Sequence, residues 1–186
     1  IAEHLDPRWP DPIVLRGTLD YWQSRRATGD PGLANKTIDA GLAHAERALA
    51  MDKNNADALE LRGDLNYWRF LYPLEPDSAK RKQLLFSAQA DLERATQLNP
   101  SQAGAYAMLS HLYANHPEKS LVDVILAASQ ALEKDAYLSN ADAVLNRLAH
   151  ATYDIGQFAD ADRWCGEGRR RFPADPRFVE CELLNM

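Results

Sequence analysis

The sequence predicts an all-helical protein that is built from repeated antiparallel helix pairs. An octet occurs twice: LRGTLDYW begins at Leu15, and LRGDLNYW begins at Leu61, 46 residues later. Self-similarity with a period of about 20–50 residues is typical of stacked repeat units. Apolar residues elsewhere recur at helical spacing, as in LLFSAQADLERATQL, and no stretch shows the alternation of a half-buried strand.

Length and composition agree with one folded repeat array and exclude some classes of partner. The chain has 186 residues, of which 46% are hydrophobic and 26% are charged, as in ordinary globular proteins. Its net charge of -6 argues against nucleic-acid binding, which usually needs a basic face. No run approaches the roughly 18 apolar residues of a membrane helix, so we expect no membrane insertion. Because the chain begins at Ile1 and ends within a helical pattern, we expect a fragment of a longer protein.

Helix-start signals and turn residues divide the chain into nine helical segments. Asp30-Pro31, His116-Pro117 and Asp175-Pro176 each place a capping residue before a proline at the first helical position. The predicted helices cover 11–26, 33–52, 56–72, 77–98, 102–115, 118–134, 140–154, 158–171 and 175–186. Because the connections are mostly short, consecutive helices should be neighbours, which gives four antiparallel pairs and the beginning of a fifth.

These helix pairs resemble tetratricopeptide repeats (TPRs), units of about 34 residues that consist of two helices. In the fourth pair the family pattern is matched by Leu145, Leu148, Ala149, Gly156, Phe158, Ala161 and Pro173. One small-residue position, where helix presses on helix, is occupied in successive repeats by Gly17, Gly63, Ser110 and Ala149. The first two repeats are longer than the family unit, because each carries an inserted segment, RRATGDPGLANK or LYPLEPDSAKRK.

The resemblance implies a right-handed superhelical solenoid over residues 11–186, preceded by an N-terminal extension at 1–10. The expected repeats cover 10–54, 55–101, 102–141 and 142–175, and 176–186 begin a fifth. In such arrays the first helix of each pair lines a concave groove.

By the same resemblance, this groove holds a protein or peptide segment. The family's contact positions fall on Asp11, Thr18, Tyr21, Trp22, Glu60, Asp64, Tyr67, Trp68, His111, Asn115, Asn146, Arg147, His150 and Tyr153. The acidic residues of the first two repeats favour a basic or aromatic partner segment there. For the aromatic residues, packing in the core is the alternative to ligand contact.

Three functional hypotheses stay open at this point. The first is a non-catalytic binding scaffold. The second is a helical enzyme with an acid/base pocket formed by Glu60, Asp64 and Tyr67, because two carboxylates one helical turn apart can exchange protons with a substrate. The third is a self-association module, in which two copies form a homodimer. A deep pocket with a buried, unpartnered carboxylate would favour the enzyme, whereas exposed Tyr21 and Tyr67 would favour the scaffold.

A second resemblance concerns the run ATYDIGQFADADRWCGEGRRRFPADPRFVEC, which begins at Ala151. It is similar to repeat regions found C-terminal to bacterial serine/threonine kinase domains. The resemblance implies a regulatory or sensor region, because the chain itself contains no glycine-rich phosphate loop, HRD or DFG motif. A cytoplasmic location is favoured, and the extracytoplasmic part of a membrane kinase is the alternative.

Neither a cofactor nor a metal site is expected from the sequence. The two cysteines, Cys165 and Cys181, form no CxxC motif, and no histidine lies at a metal-ligand spacing from either of them. Cys165 falls on the apolar face of a predicted helix. We therefore expect a buried thiol that behaves as a small hydrophobic side chain.

Overall fold

Every regular element in the described part of the chain is an α-helix. The computed structural model describes residues 6, 9–27, 29–72 and 74–184. Within these residues the helices are α1 (Asp11–Arg26), α2 (Pro31–Met51), α3 (Ala56–Leu71), α4 (Ser78–Leu98), α5 (Ala103–Ala114), α6 (Leu121–Lys134), α7 (Ala141–Asp154), α8 (Phe158–Arg171) and α9 (Pro176–Leu184). The all-helical prediction is confirmed. The predicted N-terminal extension lies mostly outside the described residues, as do the last two positions of the predicted fifth repeat.

Side-chain caps determine where several helices begin. At the start of α2, the Asp30 carboxylate accepts a hydrogen bond from the Leu33 amide at 3.0 Å, as the Asp-Pro signal predicts. At α6, Ser120 and Asp123 form a reciprocal capping box, in which each side chain accepts from the backbone amide of the other. The predicted helix start at His116-Pro117 is therefore wrong, because the stronger start signal lies at Ser120.

The chain divides into two compact units, Ile1–Pro100 and Ser101–Met186, here called the N-terminal and C-terminal units. In the N-terminal unit, α1 packs on α2 and α3 packs on α4, while α3 also contacts α1 and α2. In the C-terminal unit, α5 pairs with α6 and α7 pairs with α8, and α9 packs on α7 and α8. The helix pairs of the prediction are thus present in both units, and a single array over 11–186 stays a prediction.

The small-residue position of the repeats lies inside the helix pairs. All four of its residues are buried: Gly17, Gly63, Ser110 and Ala149. A Cβ atom at Gly63 would lie 2.7 Å from Leu92 Cγ and 3.2 Å from the carbonyl oxygen of Ala88. Glycine therefore allows α3 to approach α4 closely, and the predicted close helix contact is confirmed.

We expect Gly63→Leu to lower the free energy of unfolding by about 1–2 kcal/mol. Overpacking a dense interior costs about 1–3 kcal/mol, and replacing a helical glycine returns up to about 1 kcal/mol. Denaturant unfolding measures the difference. Gly166→Leu is the matched control, because Gly166 is exposed on α8 and its Cβ would meet no atom within 4 Å. If Gly63→Leu unfolds at or above the wild-type midpoint, Gly63 is not at a close helix contact.

Cys165 on α8 and Cys181 on α9 form a disulfide across 16 residues, with their Cα atoms 5.7 Å apart. Both residues are buried, as expected for Cys165, and they pack with Ala149 and Trp164. The expectation of a thiol that only fills space was wrong, because the packing of α9 on α8 brings the two sulfur atoms together. The spacing in the sequence carries no sign of this proximity.

Candidate functional site

The N-terminal unit contains a pocket of about 590 Å³ between α1 and α3. Its walls consist of Trp9, Asp11, Pro12, Val14, Leu15, Thr18, Tyr21, Asp57, Glu60, Leu61 and Asp64. Residues three or four positions apart share one face of a helix, so each of the two helices contributes one stripe of side chains. The volume falls within the range of about 300–1,000 Å³ that is usual for ligand pockets.

The pocket brings together many of the residues that the TPR resemblance places at contact positions. Eight such residues were predicted in this unit, and five of them line the pocket: Asp11, Thr18, Tyr21, Glu60 and Asp64. Trp22, Tyr67 and Trp68 are not among the lining residues. The contact positions of the family therefore identify several residues on the pocket-facing sides of α1 and α3, but not every residue at these positions lines the pocket.

Asp64 differs from the other carboxylates of the pocket in its surroundings. Its Oδ1 atom is inaccessible to solvent and has no hydrogen-bond partner. Burial raises the pKa of Asp64 well above that of an ordinary aspartate, the nearby Glu60 carboxylate raises it further, and Arg25 acts in the opposite direction. Asp64 therefore retains its proton at pH values where an exposed aspartate is already ionised.

Tyr21 forms part of the pocket wall although its side chain is only 5% exposed. Burial raises the pKa of the Tyr21 hydroxyl, and the negative charge of Asp64 raises it further. The hydroxyl accepts a long hydrogen bond of 3.4 Å from Arg25 Nη1. Tyr21 therefore presents a neutral ring to the pocket at any physiological pH.

Arg25 and Trp9 are residues of this region that the sequence interpretation missed. The guanidinium carbon of Arg25 lies 5.6 Å from the ring centre of Tyr21, 5.4 Å from that of Trp22 and 5.0 Å from that of Trp68. These are cation–π distances. The signal for Arg25 was its spacing of four residues after Tyr21, which places both on one helical face. Trp9 precedes α1, so no helical spacing pointed to it.

Tyr67 belongs to the core of the N-terminal unit. It is 1% exposed, and its ring stacks on Phe70 at a centroid distance of 6.0 Å. Trp68 is half-buried against Tyr72, with the ring centres 4.4 Å apart, whereas Trp22 is 44% exposed. The exposed tyrosines of an open groove are thus not found, because one ring fills the core and the other forms the pocket wall.

In the C-terminal unit, the residues at predicted contact positions lie on or just after α5 and on α7: His111, Asn115, Asn146, Arg147, His150 and Tyr153. Arg147 connects these two helices, because its Nη1 donates a hydrogen bond of 2.7 Å to the hydroxyl of Ser110. The Nδ2 atom of Asn146 is buried and has no hydrogen-bond partner. The hydrogen bond to Ser110 orients Arg147 toward α5 rather than toward solvent.

Three other residues of this set, His150, Asn115 and Tyr153, have contacts close to their own position in the chain. The Nδ1 atom of His150 lies 2.8 Å from the carbonyl oxygen four residues earlier. Asn115 donates a hydrogen bond of 3.0 Å to the carbonyl oxygen of His111. The ring of Tyr153 meets Phe158 edge-on at 5.3 Å. Contact of these residues with a partner stays a prediction.

We expect Asp64→Asn to stabilise the protein at neutral pH and to have no such effect in acid. The pKa of Asp64 is higher in the folded than in the unfolded chain, so wild-type stability falls as pH rises from the unfolded value of about 3.9 through the folded value. Asparagine carries no charge, and the variant avoids this loss. Below the unfolded pKa both states are protonated, and the advantage should vanish.

Melting temperatures of wild type and Asp64→Asn over a series of pH values test this expectation. Asp162→Asn is the matched control, because Asp162 is exposed on α8. Parallel pH profiles of wild type and Asp64→Asn would show that the Asp64 carboxyl ionises in the folded protein at no extra cost.

Two negative findings apply to residues 6, 9–27, 29–72 and 74–184. No group of three or more histidine, cysteine, aspartate or glutamate side chains is arranged to hold a metal ion there. Nor does any helix in those ranges combine the length and apolarity needed to cross a bilayer.

The helix pairs define a TPR-like fold, and comparison with solved structures supports this. The chain is similar to the crystal structure of a thermophilic TPR protein of Thermus thermophilus, with 17% identity, a TM-score of 0.65, and coverage of 99% of this chain and 84% of that chain. It also matches YrrB, described as a TPR protein with an unusual peptide-binding site, at 14% identity, a TM-score of 0.46, and coverage of 97% and 95%. No family model and no curated protein sequence matches the chain. The likeness to the Thermus thermophilus protein confirms the TPR-like fold of the prediction.

Proposed function

We propose that the chain is a non-catalytic scaffold whose N-terminal unit binds a segment of a partner protein in the pocket between α1 and α3. The observation that carries this proposal is the position of the pocket. It is formed by the first helices of two successive repeats, the face that TPR arrays use for ligand contact. Five residues at the predicted contact positions line it.

Exposed apolar side chains beside the pocket support a protein partner. Leu15 is 63% exposed and contributes to the pocket wall, and it is followed on the same face of α1 by Leu19 at 55% and Trp22 at 44%. Contiguous exposed apolar surface commonly marks an interaction site. A segment of polypeptide can cover this face while one of its side chains enters the pocket.

Selection from a random peptide library displayed on phage tests the proposal. The wild-type protein should enrich peptides, and Thr18→Trp, which fills the pocket, should lose them while keeping the wild-type melting temperature. Asp162→Trp is the control, because Asp162 is exposed on α8 in the other unit. The proposal is wrong if the wild-type protein enriches no peptides, or if Thr18→Trp enriches the same peptides equally well.

A helical enzyme is the second candidate, and one observation favours it. The Asp64 carboxyl has one oxygen closed to solvent and a raised pKa, and it lies near Glu60; such pairs can serve as acid and base. The predicted set is incomplete, however, because Tyr67 does not line the pocket and Tyr21 does. The test is hydrolysis of chromogenic esters, amides, glycosides and phosphates. Activity of the wild type on any of them that Asp64→Asn abolishes would support the enzyme, and absence of turnover with all four substrate classes would contradict it.

A narrower proposal concerns the parent protein. The resemblance of 151–181 to repeat regions of bacterial serine/threonine kinases supports a regulatory or sensor role for this chain. The gene that encodes it tests the proposal directly: a kinase domain upstream in the same reading frame is expected, and its absence would rule this role out.

Self-association is a further proposal, supported by an apolar surface of the C-terminal unit. Val122 and Leu126 lie one helical turn apart on α6 and are 61% and 60% exposed. Sedimentation velocity should then show a concentration-dependent dimer that Val122→Asp with Leu126→Asp removes. A monomer at all concentrations would exclude it.

A further inference from the structure

We infer that the pocket between α1 and α3 takes the basic side chain of a lysine or an arginine from its partner. This inference rests on the proposed function, because it names the chemistry of the segment that the scaffold binds. The walls of the pocket, its charge and the state of Asp64 support it.

The walls suit a side chain that has an apolar stem. Val14, Leu61 and Pro12 supply aliphatic surface, and Trp9 and Tyr21 supply aromatic rings. Lysine and arginine side chains commonly bury their methylene groups against such surfaces while the charged end finds polar partners. The contact of Arg25 with the Tyr21 ring shows that a guanidinium is accommodated against this ring.

The charge of the pocket is negative. Four carboxyl residues line it: Asp11, Asp57, Glu60 and Asp64. Among the described lining residues none is basic. Arg25 lies beside the pocket, and its charge lowers the pKa of Asp64, but the larger effects of burial and of Glu60 leave that pKa raised. The protein's own cation therefore does not offset the environment of this carboxyl.

Asp64 provides an observation that is independent of the number of acids. Its Oδ1 atom is buried without a hydrogen-bond partner, although nearly all buried polar atoms in folded proteins have one. A carboxyl left in this state is costly to ionise, and a nearby positive charge reduces that cost. A ligand that brings a cation into the pocket places a positive charge beside this carboxyl, whereas an anion would be repelled.

Binding of a basic side chain should then displace the proton of Asp64. The titratable and charged groups around Asp64 come from two helices, α1 with Asp11, Tyr21 and Arg25 and α3 with Asp57 and Glu60. The carboxylates of α2 and α4 that bond to α3 pair with arginines and not with Asp64. Asp91 and Glu46 bond to Arg62, and Asp39 bonds to Arg69. Affinity for a basic peptide should therefore rise with pH as Asp64 ionises, and Asp64→Asn should remove this rise.

The experiment uses the phage-displayed random peptide library with wild type, Asp64→Asn and Glu46→Gln. Glu46 is an exposed acid on α2 outside the pocket, so its change to glutamine removes the same charge elsewhere in the unit. Wild type and Glu46→Gln should select peptides with lysine or arginine at one fixed position, and Asp64→Asn should not. For a selected peptide, replacing that residue with norleucine should weaken binding at least about tenfold, measured by fluorescence anisotropy.

The outcomes separate this inference from the proposed function. If wild type selects peptides without a basic position, or if Asp64→Asn selects the same basic peptides with equal affinity, the inference is wrong and the scaffold function stands. If wild type selects no peptide, both are wrong. A basic preference that Asp64→Asn loses and Glu46→Gln keeps would establish the inference.

Discussion

Arg62→Met is expected to lower the free energy of unfolding by about 3–5 kcal/mol, because it leaves a buried carboxylate without its partner. Arg62 on α3 makes two parallel hydrogen bonds to Asp91 on α4, with Nε–Oδ2 and Nη2–Oδ1 distances of 2.8 and 2.7 Å. Asp91 is only 8% exposed, so water cannot replace the lost bonds. Urea denaturation followed by circular dichroism measures the change.

A double variant separates the cost of an unpaired charge from the net value of the pair. Arg62→Met combined with Asp91→Leu should recover most of the stability that Arg62→Met loses, because replacing both members of a buried ion pair with apolar groups is often close to neutral. Arg62 also bonds to Glu46 at 2.9 Å, but that carboxylate is well exposed and contributes little. A loss below about 1 kcal/mol in Arg62→Met would mean that solvent reaches Asp91.

Tyr67→Ala is expected to have an effect of similar size, about 3–5 kcal/mol, by leaving a cavity in the N-terminal unit. The ring is 1% exposed and stacks on Phe70, so its truncation removes a buried aromatic side chain from the core. Tyr67→Phe is the control, since it keeps the ring and should retain most of the stability.

Peptide capture distinguishes this core role from a contact role. Because Tyr67 does not line the pocket, Tyr67→Phe should capture the same phage-displayed peptides as wild type. A Tyr67→Ala protein with wild-type stability and lost peptide capture would reverse the assignment and place Tyr67 in the binding surface.

The fold was largely predictable because a repeat pattern consists of packing residues. Gly17 and Gly63 occupy the same place in the two copies of the octet. At each glycine a Cβ atom would clash with a neighbouring helix, so the repeated residue marks a repeated helix contact. Helical periodicity and Asp30 as a cap located α2 within two residues of its observed start. The start of α6 was missed because the prediction relied on the His116-Pro117 pair and did not consider Ser120 and Asp123, which form the capping box.

For the candidate site, the sequence could predict only which faces of α1 and α3 take part. Contact positions placed Asp64 and Tyr21 on the correct side of α3 and α1, since spacing along a helix determines the face. What packs against a helix decides whether a buried side chain also borders a pocket, which is why Tyr21 lines the pocket and Tyr67 does not, although they occupy the same place in the octet. The raised pKa of Asp64 likewise arises from burial between helices, and no local pattern encodes it.

The disulfide between Cys165 and Cys181 also determines how the end of the chain would transmit mechanical force. A pull on the C-terminal end passes through the sulfur atoms into α8 and bypasses the turn between α8 and α9. The chain between the cysteines, which are separated by 16 positions, then carries no tension. At about 3.5 Å per extended residue, and less the 5.7 Å that already separates the two Cα atoms, roughly 50 Å of contour length stays hidden until the bond is reduced. In single-molecule stretching, a reductant should therefore lengthen the unfolded C-terminal unit by that amount.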